Sequence, residues 1–139
     1  MIKKCFVFCI FALCIIILLG IGSALAGSLR VVVQCPSSVT AGKPLDVTAD
    51  FYNSTSNDIS ISQVFAMLEG SASNTLGLFG PFSRSLSLTI PSGNDSGNKT
   101  IRIIDKVPSG LKGKIAGATV ATIYNNNHVG SGSCMVQVK

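Results

Sequence analysis

From residue 29 onward, apolar residues recur at every second position in short runs. In LDVTADFYN at 45–53, Leu45, Val47, Ala49 and Phe51 fall on one face and Asp46, Thr48 and Asp50 on the other. That period of two marks a strand with one buried and one wet face. The same reading predicts strands at 29–35, 59–68, 76–79, 85–90, 99–105, 115–124 and 133–139. In KTIRIID at 99–105 it places Ile101 and Ile103 inward, with Thr100, Arg102 and Ile104 outward. Between the runs lie SVTAGKP, NSTSND, PSGNDSGN, PSGLKG and YNNNHVGSG, where glycine and asparagine supply positive φ and proline removes a ladder donor. No stretch has the period of an amphipathic helix, so crossover helices for a parallel sheet are missing. The pattern predicts an all-β chain, an antiparallel β-sandwich of about seven or eight strands.

The first 26 residues follow a different pattern. Lys3 and Lys4 precede an apolar run of 18 residues, CFVFCIFALCIIILLGIG, which ends in SALAG with Ala24 and Ala26 two apart. That is the order of a secretory signal peptide, with cleavage after Ala26 leaving Gly27 first. The run is also long enough for an uncleaved membrane anchor. The expected organisation is therefore an export segment at 1–26 and one immunoglobulin-like sandwich domain at 27–139, secreted or periplasmic, or membrane-anchored if residues 1–26 are retained.

Removing that segment changes the chemistry that remains. From Gly27 onward nine Lys or Arg face six Asp or Glu, against a net charge of +5 for the whole chain. The charges are scattered along the sequence, which argues against nucleic acid as a partner, since that wants a clustered basic face. Cys35 and Cys134 are the cysteines left after residue 26. In an oxidising compartment two such thiols form a disulfide. The bridge would close a loop of about 100 residues, for which chain entropy gives nearly 5 kcal/mol.

The segment CPSSVTAGKPLDVTADFYNSTSNDIS resembles the opening of bacterial secreted immunoglobulin-like modules of the adhesion-related or fibronectin type III-like kind. KTIRIIDKVPSGLKGKIAGATVATIYNNN is similar to their penultimate strands. The resemblance spans about residues 29–139 and implies a sandwich whose function lies in its loops. It carries no binding residue across. The chain departs from the antibody-type pattern: it has no tryptophan, and its cysteines lie on the first and last strands.

Candidate chemistry is sparse. His128 is the only histidine, which is too few for a copper site and leaves one possible base for a cysteine nucleophile. HVGSGSC lacks the nucleophile-elbow spacing and GLKGKIAG lacks the phosphate-loop spacings. Asp46 and Asp50 on one strand face would stand about 13 Å apart, too far for a glycosidase pair. Met135 is expected to be ordinary core or edge packing. Asn53, Asn94 and Asn98 each begin an N-x-S/T sequon. In EGSASNTLGLFGPFSRS, Leu76, Leu78, Phe79 and Phe82 come together among small residues. They form either a short edge strand dipping into the core or an exposed loop that meets a partner. The expectation is thus no catalytic residue, no metal and no cofactor, and a binding or scaffolding module for an unknown protein or glycan at the cell envelope. An alternative is an inhibitor or carrier using the Gly77–Phe82 loop, with Leu78, Phe79 and Phe82 as contacts.

Overall fold

The computed structural model describes residues 28–72, 75–125 and 128–139; the export segment expected at 1–26 lies outside the described residues. Eight strands follow one another: β1 (Leu29–Gln34), β2 (Ser38–Val39), β3 (Leu45–Asn53), β4 (Ile59–Ala72), β5 (Thr75–Ile90), β6 (Lys99–Ile104), β7 (Ile115–Tyr124) and β8 (His128–Val138), with a 3-10 turn at Ser109–Leu111 before β7. They form two sheets, one ordered β1-β3-β6 and the other β2-β8-β7-β4-β5. All pairings are antiparallel except the short β2–β8 contact, which is parallel. The sandwich expected from the alternating pattern is the architecture observed.

Alternation becomes packing directly. Leu45, Val47, Ala49 and Phe51 of β3 are buried, as are Ala116, Ala118 and Val120 of β7, and both sheets turn these rows toward one continuous core. In β4 the buried positions run 59, 61 and then 64, 66, 68. The change of parity sits at the register shift between Ile61 and Gln63, because one extra residue in a bulge turns every later side chain over. Beside the bulge, the buried Thr122 hydroxyl donates to the Gln63 carbonyl at 2.8 Å.

Several sequence expectations are corrected. The predicted strands at 76–79 and 85–90 are one strand, β5, running through a cis Gly80–Pro81 bond. Proline is tolerated there because β5 is a sheet edge. Ile104 points inward, since the register shift between Leu45 and Asp46 reverses the alternation at the end of β6. β8 begins at His128, five residues before the predicted 133, and β2 lies inside a stretch read as a turn. Met135 is 70% exposed on the outer face of β8 and is not core.

Candidate functional site

The cysteines meet where the two sheets share an edge. β1 lies over β8, and Cys35, one residue beyond β1, is disulfide-bonded to Cys134 within β8, with Cα atoms 5.6 Å apart. The glycines of HVGSGSC explain the close approach. A Cβ on Gly132 would stand 2.2 Å from the Val31 carbonyl oxygen, and one on Gly130 would stand 3.1 Å from that of Leu29. Both positions are notches that admit the β1 backbone. The Leu29 N–H donates to the buried Tyr124 hydroxyl at 3.1 Å, closing the same seam. His128 is exposed, its ring stacked on Tyr124 at 5.5 Å between centroids. Cys134, bonded to Cys35, is not available as a nucleophile.

The outer faces of the two sheets differ in kind. On the three-stranded sheet the outward residues of β1, β3 and β6 are mostly polar or charged, Arg30, Gln34, Asp46, Thr48, Asp50, Thr100 and Arg102, with Val32 and Tyr52 among them. Arg102 bridges Asp46 at 2.5 Å and Asp105 at 3.2 Å. Its hydrogen bonds, first to Asp46 and then to Asp105, raise its pKa further, so it stays charged. On the five-stranded sheet the outward face shows Leu78, Ile115, Ile123, Val129 and Met135, each more than half exposed. Cross-strand register places Ile123 opposite Val129 and Met135 opposite Gly117. Glu69, opposite both Leu78 and Gly117, is the acid on that face. A shallow hollow of about 300 Å³ opens there, lined by Glu69, Ile115, Thr119, Ser133 and Met135 around Gly70 and Gly117.

Leu78, Phe79 and Phe82 do not sit on a protruding loop. Gly77–Phe82 is part of β5, paired with β4. Phe79 and Phe82 turn inward and pack half-buried against the core, while Leu78 faces out and is 62% exposed. Leu86 and Leu88 are half-buried on the same inward side. The cause is geometric: three strands face five, so the edge strand β5 is incompletely covered by β6.

Asn53, the first sequon, is fully buried. Its Nδ2 donates to the Asn57 and Ile90 carbonyls, and its Oδ1 accepts from the Thr55 N–H and hydroxyl. Every hydrogen-bonding position is used inside the fold, so this side chain ties the β3–β4 turn to the end of β5 and is closed to glycosylation. Asn94 and Asn98 are exposed. Among the described residues, no group of three or more His, Cys, Asp or Glu is placed to hold a metal ion, and no helix is long and apolar enough to cross a membrane.

No protein family model matches the chain, and no curated protein matches it significantly. Among solved structures it is similar to the sporulation control protein Spo0M of Bacillus subtilis, with a TM-score of 0.58 and 12% identity over 81% of this chain and 50% of that one. It thus spans about half the length of that protein. Weaker similarity links it to a CARDB domain from Pyrococcus furiosus, solved with di-metal ions, with a TM-score of 0.46, 12% identity, 83% of this chain and 90% of that one. A superoxide reductase (neelaredoxin) from Ignicoccus hospitalis gives 0.44 and 14% identity over 84% and 85%. At such identities the likeness to the sporulation protein concerns the fold alone.

Proposed function

We propose that the chain is an exported, non-catalytic immunoglobulin-like module that binds a protein partner at the cell envelope through the outer face of its five-stranded sheet. The observation that carries this reading is the exposure of Leu78, Ile115, Ile123, Val129 and Met135, which gather in two apolar groups, Ile123 with Val129 and Ile115 with Met135 and Leu78, on either side of Thr119, Ser131 and Ser133. The most exposed large side chains of this face are aliphatic, which suits a protein surface better than a sugar, since sugars stack on aromatic rings. The disulfide supports an oxidising destination. Its engagement of Cys134 removes the candidate nucleophile and supports a binding role over an enzymatic one.

The test is site-specific photocrosslinking in the producing cells, with the photoreactive residue at Val129 on this face or at Val32 on the outer face of the other sheet. One saturable adduct from position 129 and none from position 32 is the expected outcome. Equal labelling from both positions, or none from either, would overturn the reading.

A further inference from the structure

The lysines scattered through the sequence are gathered by the fold. Lys43, Lys106, Lys112, Lys114 and Lys139 all lie at the end of the sandwich opposite Ser28. Backbone hydrogen bonds bring them together: Val107 N to Lys43 O at 2.9 Å, Ala41 N to Lys139 O at 2.8 Å, Val138 N to Lys114 O at 2.9 Å and Gly113 N to Val138 O at 2.8 Å. The segment carrying three of them is pinned from within. Leu111 is fully buried and fills the space over Gly70, where a Cβ would stand 2.3 Å from its Cδ2. Lys106, Lys112 and Lys114 are therefore presented on a fixed loop, and of the five lysines four are exposed and Lys114 is half-buried.

With Arg102, six cations at this end face three acids, Asp46, Asp105 and Glu69, and Arg102 itself engages the first two. The opposite end carries Arg30 and Lys99 against Asp50, Asp58 and Asp95. The net positive charge of the domain is thus concentrated on one end. Ile115 and Met135, 60% and 70% exposed, adjoin Lys114 on the outer sheet face.

We infer that this end docks onto an anionic lipid bilayer, the lysines meeting headgroup charge while Ile115 and Met135 enter the boundary between headgroups and acyl chains. The inference shares Ile115 and Met135 with the protein-binding face but rests on the lysines, which that reading does not use. Charge complementarity selects the anionic partner, and exposed aliphatic side chains beside the lysines select a surface with an apolar layer beneath its charge. A nucleic acid would call for a stacking ring or groove-reading element, and the exposed residues at this end include no aromatic.

The test is co-sedimentation of the protein, in the form its host exports, with phosphatidylcholine vesicles and with vesicles containing one-third phosphatidylglycerol. Lys3 and Lys4, where retained, would also favour phosphatidylglycerol, so each variant is compared with the parent carrying the same amino terminus. Binding is expected to require phosphatidylglycerol and to weaken with salt. Joint Lys106→Gln, Lys112→Gln and Lys114→Gln substitution should lower the partition coefficient about a hundredfold, at roughly fivefold per lysine. Ile115→Ser with Met135→Ser should weaken binding while leaving its salt dependence in place. All five sites are surface positions, and an unchanged melting temperature confirms folding of each variant. Equal binding to both vesicle compositions, or an unaffected lysine variant, would overturn the inference. So would binding to soluble polyphosphate as tight as to vesicles and indifferent to the two serine substitutions, which would assign the end to a soluble polyanion.

Discussion

The sandwich has two open sides, and it closes them by opposite means. On one, β1 lies against β8 with glycines at the contact, a backbone-to-hydroxyl hydrogen bond and a covalent bridge. On the other, β5 extends past β6, and Arg84 spans the gap. Arg84 occupies an inward position opposite Val64 and donates from Nε to the Arg102 carbonyl at 2.9 Å, while its guanidinium lies 5.6 Å from the Phe82 ring. The first seam depends on the absence of side-chain atoms, whereas the second depends on one long side chain. The difference teaches where each can be altered. A seam built on backbone proximity tolerates no added carbon, while a seam filled by a flexible cation loses one hydrogen bond and repacks. An inward-pointing charge on an edge strand also discourages pairing with another edge.

Breaking the first seam should have the largest effect. Gly132→Val puts a branched side chain where even a Cβ would lie 2.2 Å from the Val31 carbonyl oxygen. We expect destabilisation of about 3 kcal/mol or more, read by denaturant unfolding of the oxidised protein. A midpoint within error of the parent would show that β1 does not need the notch. Next comes Cys35→Ser with Cys134→Ser. Removing a bridge of sequence separation 99 should cost about 2–5 kcal/mol, and reduction of the parent should shift its midpoint to that of the double variant. On the second seam, Arg84→Met keeps the apolar stem and removes the hydrogen bond. The expected cost is about 1 kcal/mol, with the fold retained. If Arg84→Met proved as damaging as Gly132→Val, the two sides would not differ in the way described.

Much of this architecture is legible in the residues. β3 and β7 match their predicted limits, because alternating apolar and polar positions leave a strand one choice of face. The disulfide follows from having two cysteines after the apolar segment. Elsewhere local chemistry misleads. Gly80–Pro81 reads as a break, yet an edge strand can absorb it within a bulge, so two short strands were expected where one long strand forms. Gly130 and Gly132 read as turn residues, although their role is to receive a neighbouring backbone from a strand about 100 positions away. No local pattern encodes such a contact. The lysine end is hidden for the same reason: its members span positions 43 to 139, and only the loop-to-strand hydrogen bonds bring them together. Likewise, the alternation in β7 and β8 says which residues face out but not that register pairs Ile123 with Val129 at one end of the sheet and sets Met135 beside Ile115 at the other.

The position of the bridge also determines how the domain bears mechanical load. Seven described residues precede Cys35 and five follow Cys134, so a pull applied through Ser28 and Lys139 can lengthen only those segments while the bond holds, about 40 Å at full extension. The core strands β3 to β7 lie inside the closed ring and carry none of the tension. Once reduced, the same pull would act on the whole described chain and could release about 380 Å. Single-molecule stretching in oxidising and reducing buffer would read that tenfold difference directly, and equal lengthening in both would show that the ring does not shield the core. For a module held at a surface under shear, the bridge works as a strain limiter, letting the ends peel while the folded body stays intact.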